Sequence, residues 1–229
     1  MENQNLNQAI NFSKQVIFVA IPKCGTTTIR KQLKEFHTDR PFILNSHLDI
    51  QQIKQLFYFQ QLKNSLEKNE TFPSTGVLDN IGIKNTADVN FNKMFKFSLV
   101  RNPWSRVVSL YHRREGLKFG QDMNFTEFCE NIKYASDSCR QPTLHRNQLD
   151  WLTDEDGNIG VDYIGKLEEF DKAIKDIYTL TNGRIKLTNT PKNVNPASPI
   201  DYKKMYNDYT KVLIEKTFSK DISFFNYIF

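Results

Sequence analysis

Apolar residues in this chain gather into short runs that end at turns and reopen with helical spacing. The first run, Val16 to Ile21, leads into Pro22, Lys23, Cys24 and Gly25, and three threonines follow. Such a run predicts a buried strand, and Ile29, Leu33 and Phe36 fall on one face of a helix over Thr27 to Phe36. A second helical pattern covers Leu48 to Glu67, ahead of a loop around Phe72, Pro73, Ser74 and Gly76. MFKFSLV, Met94 to Val100, predicts another strand that runs straight into RNPWSRVVSLYHRRE. Asn102 there has the character of an N-cap and Pro103 of a first-turn residue, so a helix is expected over Trp104 to Arg114. Farther on, Asp156 and Gly157 mark a turn, Val161 to Ile164 a short strand, and Glu168 the start of a helix. The stretch from Thr188 to Pro199 reads as a long loop, and Tyr202 to Phe218 as a last helix before the aromatic tail FFNYIF. Repetition of strand, turn and helix predicts a single α/β domain with a mainly parallel central sheet flanked by helices. Residues 1–15 read as a polar N-terminal segment, with the folded domain over 16–229.

Composition narrows the class only slightly. The 229 residues are 39% hydrophobic and 13% aromatic, enough for one sizeable core. There are 31 Lys and Arg against 26 Asp and Glu, a net charge of +5, which suits an anionic ligand without demanding nucleic acid. Three cysteines, Cys24, Cys129 and Cys139, match neither a disulfide scaffold nor a zinc motif. No apolar run approaches the roughly 18 residues of a membrane helix, and the N-terminal residues lack an apolar leader core. A cytoplasmic protein without a transmembrane segment is the expectation.

The two strand-to-helix turns carry the candidate chemistry, because ligands gather outside the carboxyl ends of parallel strands. Lys23 and the N–H groups and hydroxyls of Gly25, Thr26 and Thr27 suit a phosphate-sized anion in the first turn. This is not a Walker A loop, in which Lys follows the second Gly; here Lys23 precedes the only Gly. In the second turn Arg101 ends its strand, and Ser105 and Ser109 are i,i+4 neighbours on one helix face. A solvated Lys23 and an Arg101 paired with a carboxylate are the plainer readings. Two near-motifs carry no such chemistry: GVDYIGKL lacks the Walker hydroxyl at Leu167, and TDEDGN lacks the remaining ligands of a calcium loop.

PKCGTTTIRKQL resembles the 5′-phosphosulfate loop, and SLVRNPWSRVVSLY the 3′-phosphate motif, of sulfotransferases that use 3′-phosphoadenosine 5′-phosphosulfate (PAPS). The resemblance is closest to the carbohydrate branch. It extends through VDYIGKLEEFDKAIKDI and the ending DISFFNYIF. It implies a fold related to P-loop nucleotide kinases, PAPS as donor, adenosine 3′,5′-bisphosphate (PAP) as product, and no metal. It further implies a hydroxylated acceptor, glycan or glycoside, and no nucleic-acid partner. By the same resemblance Lys23 takes the phosphosulfate, Pro22, Cys24 and Gly25 to Thr28 form the loop around the 5′ group, and Arg101 and Ser109 take the 3′-phosphate. Sulfuryl transfer also needs a base for the attacking hydroxyl, and His suits that task near neutral pH. His47, in NSHLDI, lies where relatives carry that His; Glu35 and Asp49 are the carboxylate competitors. Residues from His47 to Gly76 and from Thr188 to Pro199 are expected to line the acceptor cleft. A nucleotide kinase and a nucleic-acid-binding module are the rival readings.

Overall fold

The computed structural model describes residues 6–34, 41–68, 81–112, 122–134, 146–190 and 201–229. A four-stranded sheet runs in the order β1 (Ile10–Asn11), β2 (Val16–Val19), β3 (Phe95–Val100), β4 (Tyr163–Lys166). The β2–β3 and β3–β4 pairs are parallel, with Phe18 opposite Phe97 and Leu99 opposite Gly165. β1 pairs antiparallel with β2. Around the sheet pack α1 (Thr26–Leu33), α2 (Ile50–Glu67), α3 (Ile81–Asn92), α4 (Pro103–Tyr111), α5 (Phe125–Asn131), α6 (Phe170–Leu180), α7 (Asp208–Thr217) and α8 (Ser219–Phe225). No helix among the described residues is long and apolar enough to cross a membrane.

Alternation along β2 explains the layers. Ile17 and Val19 face one cluster with residues of α2, α4, α5, α7 and α8. Val16 and Phe18 face the other, with Phe97, Leu99, Ile29 and Leu33 of α1, and Ala173 and Ile177 of α6. A strand covered on both faces is apolar at every position rather than at every second one, which is why β2 reads VIFV. At β4 the packing is closer: a Cβ on Gly165 would come within 2.8 Å of both Ala173 Cβ and Leu99 Cδ2, so this position needs glycine.

Several boundaries differ from the sequence reading, each for a local reason. The first strand stops at Val19, because Ile21 N–H turns back to the Val19 carbonyl at 3.1 Å. α1 ends at Leu33, and Lys34 takes ψ 124, outside the helical range. The strand near Val161 begins at Tyr163, since the Asp162 carboxylate accepts from Lys96 N–H at 2.7 Å in place of a ladder carbonyl. The single helix over Tyr202 to Phe218 is instead a 3-10 turn (Tyr202–Met205) followed by α7 and α8. Asn207 divides them by capping α7 through a reciprocal pair with Thr210. α3 and α5 are additions that the apolar pattern did not signal.

Residues before Val16 also join the fold. Leu6 and Ile10 lie in the core, and the buried Asn7 donates to the Ile43 and Asn45 carbonyls at 2.9 and 2.7 Å. Asn11 donates to the Leu33 carbonyl at 2.7 Å. Asn7 and Asn11 thus satisfy buried main-chain acceptors, which is why polar residues stand in this part of the core.

Candidate functional site

The turn between β2 and α1 has an unusual backbone. Lys23 and Gly25 sit at φ 68 and 72, on either side of Cys24. Left-handed residues set among right-handed ones curl successive N–H groups into a concavity that suits an anion. Gly25 is the N-cap of α1, and no side chain caps this helix. Asp49, Asn102, Asn124 and Asn207 cap α2, α4, α5 and α7 with side-chain oxygens, whereas α6 and α8, like α1, have no side-chain cap. At α1 the Gly25 carbonyl accepts from Thr28 N–H at 3.2 Å, and no side-chain cap serves the N–H groups ahead of it.

Arg101 joins this turn to the one after β3. Its Nη1 donates to the Lys23 carbonyl at 3.3 Å and its Nε to Ser105 Oγ at 3.0 Å. Burial pulls its pKa below the ordinary arginine value, countered by the neighbouring Cys24 and Glu168. The next residue, Asn102, caps α4 with its side chain and donates its main-chain N–H to Glu168 Oε1 at 2.7 Å. Glu168 Oε2 accepts from Tyr227 at 3.3 Å, and Asn102 Nδ2 donates to the Ile228 carbonyl at 2.9 Å. The aromatic tail therefore closes over the second turn. Phe229 continues the contact, meeting Trp104 edge-on at 5.4 Å.

Beneath both turns lies Arg106, 1% exposed, with Nε on the Pro22 carbonyl at 3.1 Å and Nη1 on the Arg146 carbonyl at 3.2 Å. Ser109 is half-buried one helical turn beyond Ser105.

His47 reaches the same edge from the segment ahead of α2. Its main-chain N–H donates to Asn45 Oδ1 at 2.9 Å, and its Nδ1 lies 2.6 Å from the Ala20 carbonyl. A carbonyl only accepts, so the neutral ring carries its proton on Nδ1 and its lone pair on Nε2. Asp49, two residues on, is committed elsewhere: Oδ1 accepts from Gln52 N–H at 2.8 Å and Oδ2 from Arg146 at 3.0 Å. Lys23, Arg101 and His47 thus converge on the backbone of residues 20–23. Glu35, the other carboxylate competitor, lies outside the described residues.

A family model for the sulfotransferase family matches residues 9–228. The chain belongs to that family. A search of curated proteins finds no match. Membership makes the protein an enzyme of sulfuryl transfer, and the single α/β domain with its mostly parallel sheet agrees with the family's P-loop-like fold.

Sequence reasoning named the loop of this sulfotransferase and Arg101, but missed the groups behind them: Gln148, Glu168, Arg106 and Asp221. Arg106 lies within SLVRNPWSRVVSLY, and Glu168 and Asp221 within the other stretches of resemblance, yet none was given a role of its own. Their partners are distant: Glu168 is 66 positions from Asn102, Arg106 84 from Pro22 and Asp221 73 from Gln148. The two near-motifs behave as read. GVDYIGKL contains β4, and in TDEDGN the Asp154 side chain accepts from the N–H groups of Asp156 and Asn158, closing a hairpin turn. Exposed His112 ends α4, while His37 and His145 lie outside the described residues.

Among the described residues no three His, Cys, Asp or Glu side chains are grouped to hold a metal ion. A cavity of about 620 Å³ opens between α2, α3 and the 154–162 hairpin, lined among others by Lys54, Tyr58, Asp88, Phe91 and Lys96. Lys96 lies at the start of β3, five residues and about 16 Å of strand from Arg101, so this cavity is separate from the two turns. Of the stretches expected to line an acceptor cleft, 69–76 and 191–199 lie outside the described residues.

Proposed function

We propose that the protein transfers a sulfuryl group from PAPS to a hydroxyl of a carbohydrate or glycoside. The observation that carries the donor reading is the bond from Arg101 Nη1 to the Lys23 carbonyl, which unites two cationic turns at the carboxyl ends of adjacent parallel strands. A donor with anionic groups at both ends of one nucleoside fits such a pair. The uncapped start of α1 and the left-handed Lys23–Gly25 turn suit the 5′ group, and Arg101 with Ser109 suits the 3′-phosphate.

In this reading the acceptor oxygen forms a bond to sulfur as the bond from sulfur to the phosphate oxygen breaks. Lys23 offsets charge on the departing phosphate as a compact cation with three donors. His47 takes the hydroxyl proton at Nε2, the nitrogen left basic by the Nδ1 bond to Ala20. The products are PAP, a sulfate ester and a proton on the ring. A carbohydrate acceptor is favoured by the likeness of the His47 segment to the carbohydrate branch.

Calorimetry with PAP and with adenosine 5′-phosphate tests the donor half. One charged hydrogen bond contributes about 1.5 to 3 kcal/mol, so Arg101→Ala is expected to weaken PAP by about 10 to 150-fold and leave the monophosphate nearly unchanged. Equal losses for both nucleotides would overturn the assignment. Labelled PAPS offered to oligosaccharides, glycosides and non-sugar alcohols tests the acceptor half. Label appearing only on the non-sugar alcohols would refute the carbohydrate reading.

A further inference from the structure

We propose that Gln148 is a positioning residue for the donor site, its one buried amide locking the turn after β2 to the turn after β3. Gln148 is 0% exposed and sits in the segment between the 3-10 turn at Leu149–Trp151 and Arg146. Oε1 accepts from Arg101 N–H at 2.8 Å and from Cys24 Sγ at 3.0 Å. Nε2 donates to the Arg101 carbonyl at 2.7 Å and to Asp221 Oδ2 at 3.1 Å. All four hydrogen-bonding valences of the amide are used, and the main-chain N–H of Arg101 fixes which end is oxygen.

No other side-chain chemistry of this size does the same. Glutamate offers acceptors without donors, and methionine offers neither. The amide grips both main-chain groups of Arg101, so it sets where that strand ends and how the guanidinium leaves it. Its hold on Cys24 reaches the residue between left-handed Lys23 and Gly25. The Cys24 thiol stays protonated and able to donate, because burial pushes its pKa up to about 12.

The anchor is equally built. Asp221 of α8, also 0% exposed, accepts from the main-chain N–H groups of Gln148 at 2.8 Å and Leu149 at 2.9 Å. Its own N–H donates to Asn147 Oδ1 at 3.2 Å. The C-terminal helix thereby holds the amide, and the amide holds both turns.

The inference rests on the reading of Arg101 as a ligand of the 3′-phosphate, and a double-mutant cycle separates the two. The variants are Gln148→Met, Arg101→Ala and both together, with PAP and adenosine 5′-phosphate titrated by calorimetry. Two neutral bonds to Arg101 are lost in Gln148→Met, so PAP is expected to weaken by about 10 to 100-fold and the monophosphate by much less. In the Arg101→Ala background the same change should cost PAP less than about threefold, because the group being positioned is gone. Equal losses in both backgrounds would make Gln148 a merely structural residue and overturn the proposal. An Arg101→Ala variant that binds PAP normally would instead overturn the ligand reading, and this proposal with it.

Should Gln148→Met not fold, Gln148→Glu takes its place at nearly constant volume. It keeps the acceptor for Arg101 N–H but sets an oxygen against the Arg101 carbonyl and Asp221. Arg101, Arg106, Cys24, Glu168 and Asp221 are the ionisable groups nearby. Protonation restores one donor, so its PAP affinity relative to the parent protein should recover as pH falls from 8 to 6. A ratio that stays flat with pH would count against the positioning role.

Discussion

Gly25→Ala puts a methyl group into the turn on which the donor reading depends, and its cost can be worked from two separate features. Gly25 holds φ 72, a left-handed conformation that costs an L residue about 1 to 2 kcal/mol. The new Cβ would also stand 2.8 Å from Leu167 Cδ1, well inside van der Waals contact. Overpacking costs about 1 to 3 kcal/mol, and here the lower end applies because the clash is with the tip of a half-buried leucine. Together the loss is about 2 to 4 kcal/mol. For a domain of this size each kcal/mol shifts Tm by about 2 to 4 °C, so a fall of about 4 to 16 °C is expected. Urea unfolding at constant m gives the same quantity at equilibrium. Leu167→Ala in the same chain removes the clash and leaves the backbone cost. The double variant should therefore lose about 1 kcal/mol less than the sum of the single changes. A Tm within 2 °C of the parent in Gly25→Ala, or strict additivity with Leu167→Ala, would refute the argument.

His47→Ala is expected to lower kcat by about 100 to 10,000-fold while PAP affinity stays nearly constant; near-normal turnover would assign the base elsewhere. Asp49→Ala should do the reverse. It removes the cap of α2 and the Arg146 ion pair, costing about 1 to 3 kcal/mol in urea unfolding with kcat preserved, and collapse of kcat at normal stability would make Asp49 the base. For Cys24, burial raises the thiol from 9.0 to about 12, so its thiolate at pH 8 is about 1,000-fold scarcer than in the unfolded chain. Alkylation of Cys24 by iodoacetamide, followed by mass spectrometry, should be slow until denaturant is added, and rapid native labelling would contradict the buried thiol.

What the sequence determined by itself was whatever is written locally. A strand buried on both faces is apolar throughout, so VIFV was legible as such a strand, and the strand–turn–helix order after it and after FKFSLV pointed to parallel pairing. Asn102 followed by Pro103 announced α4, because a cap and a fixed φ act within one turn. The turn residues Lys23, Gly25 and Arg101 were legible for the same reason, since a cation at the end of a strand is a local arrangement. Boundaries failed where a distant group decided them. The Asp162 carboxylate takes the Lys96 N–H in place of a strand carbonyl, and asparagines that read as a polar lead-in turn out to bond buried carbonyls. Only the tertiary structure decided that His47 bonds Ala20, that Asp49 is a cap, and that Gln148 and Asp221 stand behind both turns. Sequence separations of 27, 47 and 73 residues divide His47 from Ala20, Gln148 from Arg101 and Gln148 from Asp221. Buried polar groups must find partners wherever the fold supplies them, and which partner lies within 3 Å is a property of packing that no stretch of sequence records.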